Sequence, residues 1–120
     1  MSLYQDHILD HYHNPRNYGN LPHATHHAEA LNPTCGDSLA LDLNIEDGII
    51  KEVGFTGKGC AISLASASLL FEEAKGKETV KMQVLAPEDV LKLTGLALSP
   101  VRMKCALLSL ETLKKALKSK

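Results

Sequence analysis

The chain has 120 residues, is 44% apolar and carries a formal net charge of −1. That is enough for one modest core, so residues 1–120 read as a single domain, and the charge is too balanced to point to nucleic acid. Asp6, His7, Asp10 and His11 interrupt any apolar run at the N-terminus and no stretch reaches the length of a membrane span, so neither a signal peptide nor a membrane partner is expected. Aromatics make up 4% and tryptophan is absent, which leaves Leu, Ile, Val and Ala to build the core.

Residues 3–13 read as a first helix, with Tyr4, Ile8 and Tyr12 recurring on one face until Asn14-Pro15 stops it. A turn-rich connector from Arg16 to Leu21 follows, then a weakly patterned strand within 24–31. Leu39, Leu41, Leu43 and Ile45 alternate with Ala40, Asp42 and Asn44, the period of a half-buried strand. Asp47-Gly48 supplies a hairpin turn, and Ile49, Val53 and Phe55 lie on the return strand, which Gly57-Lys58-Gly59 ends. A helix is expected from about Ala61 to Lys75, with Leu64, Ala67, Phe71 and Ala74 on its apolar face and Ser63, Ser66 and Ser68 keeping it slim. Residues 78–85 are ambiguous between helix and loop. Pro87-Glu88-Asp89 starts a helix that Gly95 stops, and Pro100 opens a last one with the stripe Met103, Ala106, Leu110, Leu113, Leu117. Lys114, Lys115, Lys118 and Lys120 at its end oppose the helix dipole. This order implies an α+β domain: a small antiparallel sheet of about three strands, covered on one face by helices, with a helix at the N-terminus.

The chain holds three cysteines. An odd count without a secretory signal argues for a reducing compartment, the cytosol by default, and for free thiols or metal ligation. Cys35, in Asn32-Pro33-Thr34-Cys35-Gly36-Asp37, is followed two residues on by Asp37, whose side chain leaves an extended segment on the same side. The pair reads either as two ligands or as an aspartate closing a turn. Cys60, after Gly57-Lys58-Gly59, stands at a helix N-terminus where free N–H groups favour a thiolate, and the glycines leave room for a bulky ligand; a small residue opening a helix is the plainer alternative. Cys105 lies at the edge of the last helix's stripe. Arg102, one turn earlier, holds Asp37, offsets an anionic site, or is simply solvated.

Jointly the features say more. Three thiols and the carboxylate of Asp37 make an anionic cage that Lys58, Arg102 and Lys104 help to neutralise. Three sulfurs and one oxygen suit Zn2+ in tetrahedral geometry or an iron–sulfur cluster with one non-sulfur ligand. An oxygen ligand on a soft-metal site is more exchangeable, which suits a site that releases its cargo. A purely structural zinc site would more commonly use cysteine and histidine alone. His26 and His27 point to opposite faces of any regular strand, so the histidines read as surface residues.

These residues resemble the U-type iron–sulfur cluster assembly scaffolds, the IscU and SufU proteins and the N-terminal region of NifU. The likeness runs from Asp10-His11-Tyr12-His13-Asn14-Pro15-Arg16-Asn17-Tyr18-Gly19 through the three cysteine segments to Pro100-Val101-Arg102-Met103-Lys104-Cys105. It implies a scaffold for de novo [2Fe–2S] assembly that takes sulfur from a pyridoxal-phosphate cysteine desulfurase and passes the cluster to acceptor apo-proteins. Cys35, Asp37, Cys60 and Cys105 match the family's ligands, and Cys105, Cys60 and Cys35 are the candidate sulfur acceptors. Lys104 stands where IscU proteins carry histidine, as in SufU proteins, and implies the alternative of a zinc-dependent sulfurtransferase accepting persulfide sulfur; the short step from Cys60 to Cys105 is IscU-like. Leu98-Ser99-Pro100-Val101-Arg102 departs from the IscU segment Leu-Pro-Pro-Val-Lys that an Hsp70-type chaperone reads, so that partner does not carry over.

Overall fold

The computed structural model describes residues 3–33, 36–95 and 98–119, with backbone alone for residues 3–5. Cys35, Lys120 and the side chain of Tyr4 therefore lie outside the described residues. The elements run α1 (Leu3–His13), β1 (His26–Asn32), β2 (Asp37–Glu46), β3 (Ile49–Lys58), α2 (Ala61–Ala74), α3 (Thr79–Gln83), α4 (Pro87–Thr94) and α5 (Pro100–Lys118). The ambiguous stretch before Pro87 contains a single short helix, α3.

Three strands form an antiparallel sheet in the order β1-β2-β3. The period-two alternation of β2 sends Leu39, Leu41 and Leu43 to one face, where they join Leu70 and Phe71 of α2 and Leu108, Leu110 and Leu113 of α5 in the main core. The expected α+β architecture, with helices on the sheet and one at the N-terminus, is the one found. Asp37 belongs to the same odd-numbered series. The alternation that buries the leucines thus carries this carboxylate onto the helix-covered face.

Two expectations change. Helix α2 buries Ile62, Ser63, Ala65, Ser66, Ala67, Ser68, Leu70, Phe71 and Ala74, far more than one stripe, while Leu64 is only partly buried. Its serines and alanines are small enough for α1, α5 and the sheet to close around it. At α5, Ala106, Leu110, Leu113 and Leu117 are buried as the stripe predicts, but Met103 is 37% exposed. Residues 100–104 are all exposed, so the first turn stands clear of the core, and Cys105 is the first side chain directed inward.

The connector after α1 is tied to the sheet. Gly19 N–H donates to the Phe55 carbonyl at 2.7 Å and Phe55 N–H to the Asn17 carbonyl at 3.0 Å, with the Tyr18 ring edge-on to Phe55. Helix α1 is fixed by His11, only 6% exposed. Its Nδ1 lies 2.7 Å from the Ser68 hydroxyl, which also accepts the Arg16 N–H at 2.8 Å. Edge strand β1 is capped by α5: Lys115 Nζ donates to the Glu29 carbonyl at 2.7 Å, and His27 N–H to Ser119 Oγ at 3.1 Å.

Candidate metal centre

Three elements deliver one ligand atom each. Asp37 opens β2 and is 1% exposed; Cys105 lies early in α5 and is 2% exposed. Cys60 is the half-buried N-cap of α2. The ligand atoms of Asp37, Cys60 and Cys105 all lie within 4.8 Å of one another. Cys60 Sγ is 3.6 Å from Asp37 Oδ2. A tetrahedral zinc with ordinary Zn–S and Zn–O bonds separates a sulfur and an oxygen ligand by about 3.6 Å. The Cys60–Asp37 pair therefore already stands at the spacing of two ligands to one soft metal ion.

A buried carboxylate has to be compensated, and Asp37 is. Its Oδ1 accepts the Cys60 N–H at 3.0 Å, and its Oδ2 accepts the Ser63 hydroxyl at 2.5 Å. Burial pushes the Asp37 carboxyl upward, but hydrogen bonds from Ser63, the Cys60 N–H and the Cys105 and Cys60 thiols outweigh it and hold the pKa below the ordinary 3.8. The group is kept as a carboxylate, the form that ligates metal.

The glycines before Cys60 do something other than make room for a bulky ligand. Gly59 has φ +149°, and a Cβ there would land on the Asp37 carboxylate; one at Gly57 would strike Leu39, the Ser38 carbonyl and Leu64. The missing side chains admit Asp37 itself and let α2 approach the sheet.

The predicted cations divide from the ligands. Lys58, Arg102 and Lys104 are exposed around the site. Arg102 does not hold Asp37: the described partners of that carboxylate are Ser63 and the two cysteines, buried beneath the exposed first turn that carries Arg102. The Arg102 backbone N–H instead meets the N-cap Ser99 at 3.3 Å. Cys35, outside the described residues, belongs to the connection that begins and ends at the paired Asn32 and Asp37.

Sequence reasoning treated Ser63 only as a small helix residue. Its position three residues after Cys60, on the same helical face, was the available signal. His11, expected only on or beside the first helix, is buried against Ser68.

A three-stranded antiparallel sheet backed by helices, with thiols and a carboxylate gathered at one end, defines the class. Residues 3–119 match the family described as NifU-like N terminal domain, and the chain belongs to it. It is 37% identical to the iron–sulfur cluster assembly scaffold protein IscU of Thermotoga maritima, across 97% of this chain and 93% of that protein. It is 35% identical to the zinc-dependent sulfurtransferase SufU of Bacillus subtilis (strain 168), across 95% and 88%. A crystal structure described as a candidate cluster assembly scaffold of the SUF system, from Fervidobacterium islandicum AW-1, superposes with a TM-score of 0.83 at 28% identity, covering 98% of this chain and 96% of that one.

Proposed function

We propose that this protein is a single-domain scaffold on which a [2Fe–2S] cluster is built and then passed to acceptor apo-proteins. Sulfur comes from a pyridoxal-phosphate cysteine desulfurase, and the setting is the cytosol. Cys35, Asp37, Cys60 and Cys105 hold the cargo. The observation that carries this reading is the convergence of Asp37, Cys60 and Cys105 from three separate elements within 4.8 Å, in a chain similar to IscU proteins over nearly all its length.

The chemistry follows from the donors. The thiolates would ligate the iron of the cluster, and the one hard oxygen ligand would make the weaker bond through which the cluster is released. Cys60 is half-buried and not sealed in, and the exposed first turn of α5 flanks the site, so a partner reaches the Cys60 sulfur without unfolding the core. Sulfur arrives when a thiolate of this chain attacks the outer sulfur of the desulfurase persulfide, forming a new S–S bond and releasing the desulfurase thiolate; a two-electron donor, an external thiol or a reduced electron-transfer protein, then cleaves that S–S bond, giving sulfide and restoring the thiolate. Lys58, Arg102 and Lys104 offset the charge of the loaded site.

Lys104, beside Cys105, favours a second reading: a zinc-dependent sulfurtransferase, as the Bacillus subtilis relative is named. Anaerobic reconstitution with ferrous iron, cysteine and a desulfurase separates the two. The scaffold reading expects a [2Fe–2S] visible spectrum with matching iron and acid-labile sulfide. Tight zinc retention, stimulated desulfurase turnover and no cluster would establish the second reading instead.

A further inference from the structure

We propose that Ser63 is a positioning residue of the ligand set, fixing the Asp37 carboxylate in the pose from which it binds metal; this rests on the reading that the site holds a metal or cluster. The hydroxyl is fully buried and touches all three described ligand residues. It donates to Asp37 Oδ2 at 2.5 Å, lies 3.2 Å from the Cys105 carbonyl and 3.6 Å from Cys60 Sγ. It has one proton, and the short distance assigns that proton to Asp37.

The other carboxylate oxygen is held by the Cys60 N–H at 3.0 Å. Ser63 and Cys60 lie in the same opening turn of α2, so a single rigid unit grips both oxygens. Once the Cys60 and Cys105 thiols give up their protons, a carboxylate gripped in this way keeps a lone pair open on each oxygen. It therefore accepts both hydrogen bonds and still ligates metal. Without the hydroxyl, Asp37 is tethered at one oxygen and free to rotate about its Cβ–Cγ bond. The Cys105 carbonyl packs against the same hydroxyl oxygen at 3.2 Å, so the Ser63 side chain sets the spacing between β2 and the start of α5 by contact. That spacing decides whether oxygen and sulfur meet one ion.

The test uses the full chain with Zn2+ or Co2+ alone, reading zinc affinity by chelator competition and geometry from the cobalt ligand-field bands. Ser63→Ala is expected to weaken zinc binding about 10- to 100-fold, the usual effect of losing a hydrogen bond to a metal ligand, and to move the cobalt bands, while Ser63→Thr, which keeps the hydroxyl, stays within about threefold of the native chain. Ser66→Ala, one turn along α2, controls for packing and should leave affinity unchanged. In an Asp37→Ala background the Ser63→Ala change should have no further effect. Should Ser63→Ala fail to fold, Ser63→Val set against its hydroxyl-bearing isostere Ser63→Thr gives the same reading, since the two differ only in the hydroxyl. Native affinity and an unshifted cobalt spectrum in Ser63→Ala, or an equal loss in Ser63→Thr, overturns the inference alone. A native chain that binds neither ion overturns the functional reading along with it.

Discussion

The Asp37 carboxylate occupies the space a side chain at Gly59 would need, and Gly59 itself sits at φ +149°. Gly59→Ala is therefore strained twice, by its backbone and by the collision. It is expected to cost about 1–3 kcal/mol from the backbone alone, measured by denaturant unfolding, and to lower zinc affinity by displacing Asp37. Two histidines titrate in opposite senses. Hydrogen bonds to Asp42 and then Glu29 outweigh burial and raise the His27 pKa above 6.5. Its contribution to stability is complete below pH 6.5 and lost as pH rises through the raised value. Burial, with Arg16 and His7 nearby, lowers the His11 pKa below 6.5, so its contribution is complete above pH 6.5 and lost as pH falls through the lowered value. Urea midpoints as a function of pH check this: the gap between the native chain and His27→Gln should narrow as pH rises. The effect is small because the His27 side chain is 51% exposed. A gap independent of pH would contradict the assignment.

Among the elements, α2 joins the site, the core and α1. Its opening turn grips Asp37, its middle packs on the sheet, and Ser68 holds α1 through His11 and the Arg16 N–H. Ser68→Ala leaves both groups without that partner and should destabilise the fold by about 1–3 kcal/mol, with α1 the first segment to gain amide exchange. Ala67 is fully buried, and Ala67→Leu should cost about 1–3 kcal/mol by overpacking, read from the same unfolding curves. Strand β2 was legible because its alternation needs only local sequence, and the Asp47-Gly48 turn because its backbone requirement is local too. The enclosure of α2 was not legible. A helix of serine and alanine has no strong apolar stripe, and only the assembled neighbours reveal that it is buried on nearly every side. The five-residue α3 is too short for periodicity to declare.

At the scale of the whole molecule, the cysteines and Asp37 could be picked out from their motifs and a family resemblance, but their grip on one another could not. Ser63 donates to Asp37 and lies against the Cys60 sulfur and the Cys105 carbonyl, three segments far apart in sequence, and it fills the place by Asp37 that one reading of Arg102 offered that side chain. A ligand set drawn from separate segments links metal binding to folding: at zinc a hundredfold above its dissociation constant, stability should rise by about 2.7 kcal/mol and return on adding a chelator. An unchanged melting temperature on loading would argue against a shared site. The most direct test of the central claim is X-ray absorption at the zinc edge of the fully loaded native chain. Convergence of Cys35, Asp37, Cys60 and Cys105 predicts a first shell of three sulfurs near 2.3 Å and one oxygen at about 2.0–2.2 Å, with one sulfur lost in each cysteine→serine variant. A shell dominated by nitrogen, or a sulfur count that any one of those variants leaves untouched, would contradict it.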